Sequence, residues 1–182
     1  MPEYRFITRH GDHPFPIEVY TFPIVNGVSK LCTIGLSIQG LTDLSCFGKE
    51  LILVLPTSEM TGRKMRRAVN YFLDIAAHYL VHEKDCHEDI FLIPENKLSP
   101  SSWNTKSVLI DSPRGECEDF ETVSFGEKTV VFKWIIPITQ SEYLMIRNKG
   151  VEEFDAYIKK EEMELIDVSR RHVRSGCSVW IP

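Results

Sequence analysis

The chain is poor in the features that would commit it to a special chemistry. Its five cysteines, Cys32, Cys46, Cys86, Cys117 and Cys177, stand far apart. An odd count without a C-x-x-C pair argues against a disulfide framework or a zinc site of ordinary spacing. No apolar run approaches bilayer length, since the longest aliphatic stretch is Leu51 to Leu55. The opening Met1-Pro-Glu-Tyr-Arg-Phe6 has no apolar stretch of signal-peptide length. A reducing cytoplasm is the expected compartment. There is no excess of positive charge: 21 Lys and Arg stand against 26 Asp and Glu, a formal net charge of −5. A basic field for general nucleic-acid binding is therefore missing. The chain also lacks a Walker loop, a G-x-G-x-x-G fingerprint and a G-x-S-x-G elbow, so no cofactor is expected.

What remains is an ordinary folding chain. Its 182 residues are 43% hydrophobic and 26% charged, as in a globular domain. A single domain over residues 1–182 is expected, able to bury roughly two-thirds of its unfolded surface without a metal or a disulfide.

The periodicities place the elements. Ile17 to Phe22 alternates apolar and polar residues and stops at Pro23, as a half-buried strand does. Asn26-Gly27 is a turn pair. Leu31 to Ile38 reads as a second strand, interrupted by Gly35 at a bulge or a close backbone approach. Glu50-Leu-Ile-Leu-Val-Leu-Pro56 is a continuous run suited to a central strand buried on both faces. The period then becomes helical: Met65, Val69, Phe72, Ala76, Tyr79 and Leu80 form one stripe, with Arg67, Asn70, Asp74 and His78 opposite. Ser58 or Thr61 is the expected N-cap, and the pattern fades by His82. Further strands are expected at Ile90 to Ile93, Ser107 to Ile110 and Lys128 to Ile138. Helices are expected from Ser141-Glu142 and over Val151 to Met163. Strands, a long helix, more strands and then helices predict an α+β fold. Its mixed, largely antiparallel sheet is packed by one long helix and C-terminal helices.

Candidate chemistry is thin. His78, His82 and Cys86 stand at i, i+4 and i+8, with His87 adjacent and Asp74 one turn earlier. On a continuous helix they would share a face suited to zinc, giving a metal-dependent enzyme as one alternative. An ordinary Asp74–His78 pair on the solvent side explains the spacing more simply. Arg63-Lys-Met-Arg-Arg67 is a basic cluster at a helix start, where the macrodipole disfavours cations. Asp111 to Glu121 reads as an acidic exposed loop with Arg114 as its one basic residue. Within it Glu116, Glu118, Asp119 and Glu121 could dock a basic protein partner. Trp103 could anchor such a partner if exposed, and could equally pack in the core.

The order of these segments resembles the suppressor of fused-like family over about residues 15 to 173. The likeness is carried by Glu50 to Pro56, the helix, Ile90-Phe-Leu-Ile-Pro94, Phe132-Lys-Trp-Ile-Ile-Pro137-Ile-Thr-Gln-Ser-Glu142 and Asp167-Val-Ser-Arg170. The Phe22-Pro23 strand end and Thr33-Ile-Gly35 also fit. Each motif is weak alone; the specificity lies in their order. The resemblance implies structural roles for Glu50, Pro56, Pro137, Glu142, Asp167 and Arg170. Members often carry Gly-His-Thr after the long helix, where this chain has Cys86-His87-Glu88, and a Trp early in that helix, absent here. The chain is much shorter than the animal members, which hold a partner peptide between two domains, so their binding residues cannot be transferred to it. The family implies binding without catalysis: animal members sequester a transcription factor, and the single-domain bacterial type resembles immunity proteins that neutralise a toxin. The expected partner is thus a protein, most simply a toxin domain, with no nucleic acid, membrane or metal. A general intracellular interaction module is the other binding alternative.

Overall fold

Alternation of side chains decides which segments can share a sheet and which face each strand offers to a helix. The computed structural model describes residues 4–8, 17–22, 26–36, 48–82, 90–114, 122–125 and 128–171. Its strands are β1 (Tyr4–Thr8), β2 (Ile17–Thr21), β3 (Val28–Ile34), β4 (Lys49–Pro56), β5 (Phe91–Ile93), β6 (Ser107–Asp111), β7 (Thr122–Phe125) and β8 (Lys128–Ile138). They form one sheet in the order β1-β2-β3-β4-β8-β6-β5, with β7 also paired to β8. Among the described strands only β4 and β8 run parallel; the other pairs are antiparallel. The fold is α+β, with a mixed and mostly antiparallel sheet.

Two helical layers cover this sheet. Helix α1 (Gly62–His82) buries the expected stripe from Val69 to Leu80. That stripe shares a core with Leu51, Leu53 and Leu55 of β4, Val108 and Ile110 of β6, and Ile135 of β8. The alternate residues of the same strands belong to a second core. Leu109, Trp134, Ile136 and Ile138 meet Ile146 of α2 (Gln140–Lys149) and Phe154 of α3 (Val151–Lys160) there. The central strands are apolar on both faces because both faces are covered.

Several boundaries move for local reasons. A 3-10 turn, Thr57–Glu59, precedes α1. Thr61 donates its hydroxyl to the Ser58 carbonyl, while its own carbonyl accepts from Lys64 and Met65, so the helix starts at Gly62. The strand expected over Leu31 to Ile38 instead spans Val28–Ile34. It stops at Gly35, which takes φ +92° with open space where a Cβ would lie. Gly35 therefore provides a left-handed bend and not a close approach. The close approach is at Gly48, with φ +91° and an added Cβ only 2.7 Å from the Thr129 carbonyl oxygen. The Gly48 carbonyl accepts from Val131, which joins the start of β4 to β8. We expect Gly48→Ala to lower the unfolding free energy by about 1–3 kcal/mol. An unchanged urea midpoint would contradict this account of the β4–β8 junction.

The register also places the two strands that flank the acidic segment in sequence. Val131 pairs with Lys49 of β4 and with Thr122 of β7. A strand residue has one neighbour on each side, so β7 lies on the flank of β8 that also carries β6. β6 and β7 follow one another along that flank, β6 ending at Asp111 and β7 beginning at Thr122.

Candidate functional site

The residues singled out by pattern near the C-terminus meet at one buried point. Pro137 is the penultimate residue of β8, next to the turn into α2, where Thr139 is the N-cap. The Thr139 hydroxyl accepts from Glu142 N at 3.3 Å, and Glu142 Oε2 accepts from Thr139 N at 2.6 Å. This reciprocal pair is a capping box. The Glu142 carboxylate has no exposure, and Arg170 approaches it from the segment after α3. Arg170 Nε donates to Oε1 at 2.8 Å and Nη2 to Oε2 at 2.9 Å. Nη2 also reaches the Pro137 carbonyl at 2.6 Å, while Nη1 donates to the carbonyls of Leu165 and Asp167 at 3.0 and 2.9 Å. All five guanidinium N–H groups are thereby used. Asp167 contributes its backbone carbonyl to Arg170, and its carboxylate accepts from Ser169 N and Oγ to close the turn. Charge burial is costly unless paired and fully hydrogen-bonded, and here it is both. The lock fixes the C-terminal segment against the second core.

A second junction sits where β6 ends. Arg114 donates to Asp111 at 2.5 Å, pairs with Asp155 of α3, and lies 5.7 Å from the centroid of the Phe154 ring. The one basic residue between positions 111 and 121 is thus engaged at the base of the segment, by carboxylates of β6 and α3. Glu116, Glu118, Asp119 and Glu121 lie outside the described residues.

Glu50 and Pro56 bracket β4. Glu50 Oε2 accepts from Thr33 Oγ1 at 2.7 Å and from Leu36 N at 3.3 Å, and Oε1 accepts from Gly35 N at 2.9 Å. The carboxylate thereby satisfies the backbone where β3 ends in its left-handed bend. Pro56 is paired with Val28 and stands at the N-cap of the 3-10 turn.

Trp103 is a core residue, the second of the two placements open to it from the sequence. It is 2% exposed, packs edge-on against Tyr71 at 4.9 Å between centroids, and donates Nε1 to Glu59 Oε2 at 2.9 Å. Glu59 also accepts from Lys64 at 2.8 Å. An aromatic in a Pro/Ser/Asn-rich connection gives no periodicity by which burial could be read.

The histidines at the end of α1 are close but incomplete as a ligand set. The His78 and His82 rings lie 4.3 Å apart, and burial, then His82, holds His78 below its ordinary value. Cys86 and His87 lie outside the described residues, among which no group of three or more candidate ligands gathers. The Cys32 thiol is pushed up to about 12 by burial and by Glu50, which disfavours the reactive thiolate. No helix among the described residues is long and apolar enough to cross a membrane.

A two-sided mixed sheet, with a capping box locked by a distant arginine, defines an α+β domain of recognisable pattern. The suppressor of fused protein family matches residues 13–171, and this chain belongs to that family. No curated protein matches the chain. Among solved structures, a suppressor of fused homolog from Neisseria gonorrhoeae is similar with a TM-score of 0.67 at 18% identity, covering 92% of this chain and 85% of that one. The protein in a Sufu–Fu complex structure gives 0.59 at 13% identity, over 88% and 77%. Drosophila Suppressor of Fused gives 0.57 at 13% identity, over 82% of this chain but 39% of its own. At such identities the likeness is one of fold.

Proposed function

We propose that this chain is a non-catalytic protein-binding module acting in the cytoplasm as an immunity protein, which binds and neutralises a cognate bacterial toxin. Membership of the suppressor of fused family supports the binding role, and a complex of Sufu with Fu is an instance of a protein partner in that family. The observation that carries the finer reading is the junction at Arg114. Its charge is engaged by Asp111 and Asp155, so within the segment Glu116, Glu118, Asp119 and Glu121 have no basic residue left to neutralise them. A toxin that cleaves nucleic acid presents a basic cleft, and a run of carboxylates offers it the charge of phosphates.

Replacing Glu118, Asp119 and Glu121 together by Lys is expected to weaken toxin binding about tenfold or more and to leave the melting temperature unchanged. Affinity equal to that of the wild type in isothermal titration would exclude the acidic segment as the contact.

A further inference from the structure

The proposed acidic contact leaves a cluster of charges of opposite sign unexplained. Arg63, Lys64, Arg66 and Arg67 crowd into the first turns of α1, and all four are exposed. The first turn of this helix contains no acidic residue. Cations there are opposed by the macrodipole and by one another at i, i+3 and i+4 spacing. Lys64 is relieved by Glu59, which is itself shared with Trp103. Among the described residues Arg63, Arg66 and Arg67 make no ion pair, so no acidic neighbour offsets their placement. The remainder of α1 is anchored in the core from Ala68 onward, which holds the three guanidinium groups on a rigid support.

A chain of net charge −5 that keeps three arginines, unpaired among the described residues, where they oppose the local field has a surface matched to an external anion. We propose that Arg63, Arg66 and Arg67 form a docking surface for an acidic segment of a partner protein, a second contact that rests on the protein-binding reading above. The spacing places all three on one helix face, and guanidinium groups take carboxylates in bidentate pairs. The overall negative charge favours a short acidic segment over a nucleic acid, because a long polyanion is repelled by the rest of the molecule.

Fluorescence anisotropy with a labelled poly-Glu peptide tests this on the full chain. The wild type is expected to bind the peptide with an affinity that falls as salt rises. The variant Arg63→Glu/Arg66→Glu/Arg67→Glu is expected to bind it about tenfold more weakly or not at all. Its melting temperature should rise, since acidic residues suit a helix start, and that rise shows the fold intact. Equal peptide binding by variant and wild type, or none by the wild type, would overturn the proposal. Tighter binding of a poly-dT oligonucleotide than of the peptide would overturn the choice of a protein partner. Self-association of the wild type that the variant loses would instead make a second copy the occupant. Toxin binding that survives the charge reversal, without peptide binding by the wild type, would sink this surface while the protein-binding reading stands.

Discussion

Arg170→Ala is expected to destabilise the fold by about 3–5 kcal/mol, because it strands the Glu142 carboxylate in the interior. On a chain of this size that corresponds to a fall in melting temperature of roughly 6–20 °C. The reason is geometric. Glu142 is fully buried, and apart from Arg170 its carboxylate is held by the Thr139 N–H. Three backbone carbonyls, of Pro137, Leu165 and Asp167, lose a donor in the same step. Arg170→Lys should recover only part of the loss, since an ammonium cannot present the planar fork that meets five acceptor contacts at once. Glu142→Gln should be costly for the converse reason, leaving a buried guanidinium without its counter-charge. The double variant Glu142→Gln/Arg170→Met is expected to lose less than the sum of its parts, because neither charge is then left alone. Strict additivity in urea unfolding would mean that the two side chains act independently, contrary to the bidentate geometry.

The second large effect is at Trp103. Truncation to Ala is expected to cost about 3–5 kcal/mol, through the lost packing and the cavity left beside Tyr71. Trp103→Phe keeps a ring there but removes the donor to Glu59, and should cost roughly 1–3 kcal/mol. A pH signature accompanies it. Burial works against the charged Glu59, but hydrogen bonds from Lys64 and Trp103, with the Lys64 charge, outweigh it and hold the carboxyl below its ordinary value. The folded state therefore binds this proton less tightly than the unfolded one. The resulting stabilisation is complete above the ordinary value of 4.5 and is lost as the pH falls through the lower folded value. In Trp103→Phe that acid-side loss should shrink. Partner affinity of the folded variant should match the wild type, because the indole is inside. Intact stability with abolished binding would mean that Trp103 works at the surface.

Particular residues show how much of this was legible. β4 and β8 announce themselves because apolar runs with covered faces on both sides need no partner to be read, and Lys128–Ile138 stands at its expected limits. The stripe of α1 is equally local. Thr139-Gln-Ser-Glu142 carries the capping-box spacing, which moves the helix start one residue ahead of the expected Ser141, with Thr139 as its N-cap. That Arg170 returns to Glu142 across 28 positions is not local information; a charged pair in sequence looks the same on the surface or in the core. β7 escaped for a related reason. Thr122–Phe125 is four residues long and is a strand because β8 extends alongside it, a tertiary cause. Arg114 is legible as the one cation in an acidic stretch, but its partner Asp155 lies on another element and is not.

The central claim is that this molecule works by binding another protein. The most direct measurement is affinity capture from the native host while the neighbouring genes are expressed, with bound proteins identified by mass spectrometry. The expected result is one protein ending in a toxin-like domain, retained at equal stoichiometry by the wild type and lost by the Glu118→Lys/Asp119→Lys/Glu121→Lys variant. Retention of nothing beyond what an unrelated acidic protein captures would contradict it.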